Sequence, residues 1–100
     1  MKDHADTIAL RRKTIGNFFK SARETSGLTQ KQVADHLSYS TAQFISNWER
    51  GLSAPPMETL PTLTKLYKLN QKDVVDAIHE FQIRYVDLQR KELMRQFKNS

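Results

Sequence analysis

The 100-residue sequence contains no cysteine, which excludes a disulfide scaffold, thiolate metal sites and cysteine nucleophiles. It holds only three glycines and three prolines, all between Gly16 and Pro61, so no helix breaker falls between Thr62 and Ser100. No apolar run approaches the roughly 20 residues that a membrane span needs. The opening Met1-Lys2-Asp3-His4-Ala5-Asp6 mixes charges where a secretory signal needs an apolar stretch of about 7–15 residues, so the expected location is cytoplasmic. No segment alternates polar and apolar residues long enough to suggest a half-buried strand. The expected fold class is all-α.

What is present is a moderate positive charge. Sixteen Lys and Arg against eleven Asp and Glu give +5, shared between the two halves of the chain rather than gathered in a tail. Such a balance suits a polyanionic partner without specifying one. A chain of this size forms one core and buries roughly 60–65% of its unfolded surface, which leaves little material for an enclosed active site. There is no nucleophile–base arrangement, glycine-rich phosphate loop or metal-ligand spacing, so neither catalysis, a cofactor, a metal nor a small-molecule ligand is expected. His36 beside Asp35 and His79 beside Glu80 are sequence neighbours, which point away from each other on a helix.

Helical spacing of Ile15, Phe19 and Ala22 predicts a first helix that starts between Thr7 and Thr14 and ends at Gly27. Thr29-Gln30-Lys31-Gln32 has the form of a capping box and opens a second helix, with Val33, Ala34 and Leu37 as its apolar stripe. After the polar turn Ser38-Tyr39-Ser40, a second such box, Ser40-Thr41-Ala42-Gln43, opens a third helix that runs to Arg50, with Ile45 and Trp48 inward. A fourth carries Leu60, Leu63 and Leu66, with Pro61 in its first turn or at a kink. Asn70, followed by Asp73, marks the start of the fifth.

The block from Leu28 to Gly51 is two short capped helices separated by a turn, and in this setting the sequence resembles the Cro/repressor (XRE) family of helix-turn-helix DNA-binding domains. The resemblance covers about Ile15 to Val75. It rests on Ile15-Gly16, Arg23, Gly27-Leu28-Thr29-Gln30, Val33-Ala34, Leu37, Ile45-Ser46, Glu49-Arg50-Gly51 and the later Leu60, Leu63, Leu66 and Leu69 in this order. It implies a five-helix repressor-like domain and a sequence-specific transcriptional regulator, a repressor, bound to double-stranded DNA with a recognition helix over residues 41–50 in the major groove.

By the same resemblance, Thr41, Ala42, Gln43, Phe44, Ser46 and Asn47 would face base edges. Amides such as Gln43 and Asn47 can pair bidentately with adenine. Gln30 would hold a phosphate at the amino terminus of the second helix, with Lys31, Arg50, Lys20 and Lys13 as further phosphate contacts. Arg23 would bridge to Glu49 and fix the angle of the recognition helix.

Three features depart from the family pattern. The turn between Leu37 and Ile45 holds one extra residue, Ser38 replaces a frequent glycine, and Phe18 and Phe44 stand where polar residues are usual. Phe44 either meets a thymine methyl or packs on Tyr39, and Gln43 either reads a base or caps its helix. Trp48 is expected in the core rather than stacked on a base. The alternative function is a protein-interaction module, an antitoxin-type or polymerase-binding adaptor on the same fold.

The expected organisation is an amino-terminal arm or early first helix over 1–13, a DNA-binding domain over 14–80, and a carboxy-terminal helical extension over 81–100. Val74, Ile78, Phe81, Tyr85 and Leu88 step by four, three, four and three residues, a heptad-like seam. That seam reads as a homodimerisation surface, because operators with two-fold symmetry call for dimers, or as a face folded back over Phe18 and Ile8 of the first helix. Its next positions are Glu92 and Arg95, while Val86, Leu93 and Phe97 lie on another face, so the helix is expected to bend or change partner near Arg90.

Overall fold

The computed structural model describes residues 4–99, and the side chains of residues 14–99. Five α-helices follow one another: α1 His4–Thr25, α2 Gln30–His36, α3 Gln43–Glu49, α4 Leu60–Leu66 and α5 Gln71–Lys98. A single 3-10 turn, Met57–Thr59, leads into α4. No strand occurs among the described residues, as expected. None of their helices is long and apolar enough to cross a membrane.

Side-chain caps and backbone reversals set these boundaries. At α2 the capping box forms in full: Thr29 Oγ1 accepts from Gln32 N at 3.0 Å, and Gln32 Oε1 accepts from Thr29 N at 2.8 Å. At α5 the Asn70 carbonyl oxygen accepts from Lys72 N at 2.8 Å.

Each of the first four helices ends in a Schellman reversal. The N–H groups of Leu28, Tyr39, Leu52 and Leu69 reach back to the carbonyls of Arg23, Ala34, Asn47 and Thr64. The residue before each lies in the left-handed region: Gly27 (φ 74°), Ser38 (φ 61°), Gly51 (φ 78°) and Lys68 (φ 53°). Glycine adopts that backbone without steric cost. Serine and lysine do not.

Two expected helix starts are corrected. The first helix is already helical at His4, ahead of the window from Thr7 to Thr14, because no breaker interrupts it; Gly16 lies inside it. The third begins at Gln43 rather than Thr41, and the box built on Ser40 does not form. Thr41 Oγ1 accepts from Gln43 N at 3.2 Å, an i to i+2 turn that takes the N–H the box would have used and leaves Ala42 at the cap position. Pro61 sits in the first turn of α4 without a kink.

The core gathers Phe19 of α1, Val33 and Ala34 of α2, Ile45 and Trp48 of α3, and Leu63 and Tyr67 from α4 and its end. Leu60 and Leu66 pack at its margin. Gly16 brings α1 against the end of α3 so closely that a Cβ there would meet Trp48 O at 2.5 Å and Glu49 O at 2.6 Å. α5 lies along α1. Val74 is buried, Ile78 packs on the core, and Phe81, Tyr85 and Leu88 are half-buried, with the Phe81 and Tyr85 rings stacked at 5.8 Å. Phe18 meets this face too, lining a cleft with Ile15, Ala77 and Phe81. Cover for Ile8 lies outside the described side chains.

α5 does not bend. Its 28 residues run as one helix, about 42 Å at 1.5 Å per residue, in a molecule 49 Å in its longest dimension. Lys72–Asp76, Arg84–Glu80 and Lys91–Asp87, each four residues apart, brace its exposed side.

Candidate nucleic-acid interface

α3 presents its two faces as helical phase requires. Ile45 and Trp48 are buried at 1% and 4% exposure, while Gln43, Phe44 and Arg50 are exposed and Ser46 and Asn47 are half-buried. Trp48 is thus a core residue, its ring edge-on to Tyr39 at 6.0 Å, and is not available for a base. Thr41 is exposed and Ala42 half-buried in the turn before the helix. Phe44 packs one side of its ring on Tyr39, at 5.2 Å between centroids, yet stays 56% exposed.

The exposed polar side chains are joined. Gln43 Nε2 donates to Asn47 Oδ1 at 2.9 Å, and Arg50 Nη2 donates to the same oxygen at 3.1 Å. Gln43 therefore does not cap its own helix. This order has a chemical consequence: the Asn47 acceptor is taken twice, whereas Gln43 keeps its carbonyl oxygen and a second N–H. An oxygen and an N–H on one amide form the pair that adenine complements in the major groove, where its N6–H donates to the oxygen and its N7 accepts from the N–H.

Behind this face, Glu49 closes α3 onto the other two helices. Its carboxylate, 3% exposed, accepts from Arg23 Nε at 2.7 Å, from Arg23 Nη2 at 3.0 Å and from Gln30 Nε2 at 3.0 Å. Arg23 also donates Nη1 to Leu28 O at 2.8 Å, tying the end of α1 to the loop before α2. The hydrogen bond to Glu49 raises the Arg23 pKa, against the opposing effect of burial. Nearby Tyr67 has its phenol pushed well above its ordinary value, first by burial and then by the Glu49 charge, with Arg23 acting the other way. The structure thus brings Arg23 and Glu49 within hydrogen-bond distance of each other.

A helix-turn-helix domain family matches residues 14–78 of the chain. The chain belongs to that helix-turn-helix family and is XRE-like.

Over 57 residues the helix-turn-helix chain is 35% identical to the HTH-type transcriptional regulator ImmR of Bacillus subtilis (strain 168), an alignment that covers 57% of this chain and 44% of that protein. The chain thus matches less than half the length of this curated relative. No solved structure matches.

In this helix-turn-helix domain the expected phosphate contacts fall on three elements. Gln30 opens α2 half-buried, one amide hydrogen given to Glu49 and the other not needed for that bond. Lys31 is exposed on the same turn and pairs with Asp35 at 2.7 Å. Lys20 is exposed on α1 and Arg50 at the end of α3; the Lys13 side chain lies outside the described residues. Two features were missed from sequence. The Gln30–Glu49 bond spans 19 residues, and no local spacing announces it. The Gln43–Asn47–Arg50 ladder lies on one face at four and three residues apart, but spacing alone does not give its hydrogen bonds.

Proposed function

We propose that this domain is a sequence-specific, double-stranded DNA-binding transcriptional regulator that inserts α3 into the major groove. The observation that carries the reading is the amide ladder on α3: Gln43, held at one N–H by Asn47, presents its remaining acceptor and donor on an exposed surface. Gln43 is then the principal base reader and Asn47 the residue that positions it, while Thr41, Ala42 and Ser46 supply small side chains that admit a base edge. Phe44, one side on Tyr39, offers its exposed side to a thymine methyl.

Gln30, Lys31, Arg50, Lys20 and Lys13 take phosphates. Gln30 can keep its bond to Glu49 and donate its second hydrogen to a phosphate oxygen, which couples backbone contact to the clamp that orients α3. Occupying the groove excludes other proteins from the same site, so repression is the direct consequence of binding, with a homodimer on a two-fold operator. A protein-interaction role for the α3 surface is less favoured: the only acidic residue of α3, Glu49, is buried, leaving the outer face without negative charge and with Arg50 at its end.

The test is titration of a labelled mixed-sequence duplex at two salt concentrations. Four cationic phosphate contacts give a slope of log affinity against log salt of about −3.6 per chain, on the order of a 100-fold loss from 50 to 200 mM salt. Gln30→Ala and Arg50→Ala should weaken binding to all sequences alike. No binding at low salt would overturn the reading.

A further inference from the structure

α3 exposes one large apolar side chain, Phe44, in its first turn. The ring is held in place rather than loose. It lies 5.2 Å from the Tyr39 ring, tilted by 53°, and Tyr39 in turn stands edge-on at 6.0 Å to Trp48, a core residue. Tyr39 is fixed from the backbone as well: its N–H donates to Ala34 O at 2.9 Å, just after the left-handed turn at Ser38. Three rings therefore run from the core to the surface, and the outermost presents a hydrocarbon face between polar neighbours, Thr41 and Gln43 before it and Ser46 and Asn47 after it. Flanked in this way, the ring is matched to one small apolar group rather than to a contiguous protein surface.

We infer that Phe44 senses the C5 methyl group of a pyrimidine, so that binding responds to cytosine methylation as well as to sequence. The inference rests on the proposed insertion of α3 in the major groove and deepens it by naming a modified base as ligand. Thymine shows its C5 methyl in that groove beside an O4 acceptor, whereas cytosine shows an N4 donor and no methyl. 5-Methylcytosine carries the methyl at the same ring position and keeps the cytosine donor. A phenyl ring has no conventional hydrogen-bond donor or acceptor, so it does not register O4 against N4 and responds to the methyl alone. The thymine methyl is then one member of a wider ligand class.

Gln43 and Phe44 thus divide the reading. The amide selects adenine by its donor and acceptor, and the ring separates a methylated pyrimidine from an unmethylated one. Consecutive Cα atoms are about 3.8 Å apart and a base-pair step is about 3.4 Å, so the methyl should fall within about two base pairs of that adenine. The support from Tyr39 matters for affinity: a ring already fixed loses little freedom on contact, so ordering offsets little of what the contact contributes.

The experiment uses the full chain and the duplex that the wild type enriches from a random pool. Each thymine is replaced in turn by deoxyuridine, which removes the methyl and leaves every hydrogen-bonding group in place. At one thymine per bound chain, wild-type affinity should fall ~4-fold, the effect of one methyl-sized group no longer buried. At that position a C·G pair is then compared with 5-methylcytosine·G, and the wild type should bind the methylated duplex ~4-fold more tightly. Phe44→Ala and Phe44→Gln should show neither difference while still binding the parent duplex. Phe44 is 56% exposed, so the helix content of both variants should match the wild type. Wild-type binding indifferent to uracil at every thymine, no preference for 5-methylcytosine at the sensitive position, or a methyl effect that both variants retain would each overturn the inference while leaving insertion of α3 intact. A wild type that binds no duplex would instead overturn the proposed function, and this inference with it.

Discussion

Removing the Glu49 carboxylate is the perturbation that most sharply tests the architecture behind the interface. In the native state it accepts three hydrogen bonds, two from Arg23 and one from Gln30, with the Arg23 side chain 11% exposed and its own 3%. An exposed pair contributes ~0–1 kcal/mol, but leaving one member of a buried pair unpaired costs about 3–5 kcal/mol. Arg23 keeps only its bond to Leu28 O and some water access, so the lower end applies, and Glu49→Ala should cost about 3 kcal/mol. Against a total of about 5–15 kcal/mol for a domain, that is a large fraction. Urea unfolding of Glu49→Ala, of Arg23→Met and of the double variant Arg23→Met with Glu49→Leu completes the test. The double variant should lose less than the sum of the singles, since no charge remains buried. A cost for Glu49→Ala within ~0.5 kcal/mol of wild type, the ordinary effect of a surface substitution, or additive singles, would refute the reasoning.

Gly16→Ala forces a methyl against the carbonyls of Trp48 and Glu49, so α1 and α3 must part; a loss of ~1–3 kcal/mol in chemical unfolding is expected. Ser38→Gly should stabilise by ~0.5–1 kcal/mol, the left-handed penalty of roughly 1–2 kcal/mol less the extra backbone entropy of glycine. Its thermal midpoint should rise. Tyr67 favours the folded state as the neutral phenol, its folded pKa being raised above the ordinary 10.0. Its contribution is therefore complete below about pH 10 and declines as pH rises further, by up to ~1.4 kcal/mol per pH unit. Urea midpoints measured from pH 9 upward should fall less steeply for Tyr67→Phe than for the wild type.

The elements legible in the sequence were those with local chemistry. Thr29 with Gln32 and Asn70 with Asp73 announce helix starts because the capping atoms lie within three residues of the groups they cap, and Gly27 and Gly51 announce ends because glycine tolerates the required φ. Ser38 and Lys68 make the same reversal with no such signature: apolar contacts after the helix, at Tyr39 and Leu69, hold them there. The start of α3 was misplaced because Ser40 and Thr41 compete for one N–H, a contest that spacing does not decide.

For the site, helical phase separated Ile45 and Trp48 from Gln43 and Asn47 correctly. It did not show that Asn47 has its acceptor occupied, because that depends on where Arg50 and Gln43 point. The seam from Val74 to Leu88 was visible as a period, but period alone does not say which surface meets it. α1 takes that face, while Ile83, Val86 and Leu93 are among the exposed apolar side chains.

The central claim is that the exposed amides of α3 choose a DNA sequence. Selection of bound duplexes from a random pool, run side by side for the wild type, Gln43→Ala and Asn47→Ala, tests it most directly. The account predicts that the wild type enriches a two-fold symmetric motif with a fixed A·T pair in each half. Gln43→Ala should lose the preference at that pair while still binding duplex DNA, and Asn47→Ala should weaken it. Failure of the wild type to enrich any motif, or an unchanged motif for both variants, would contradict the claim.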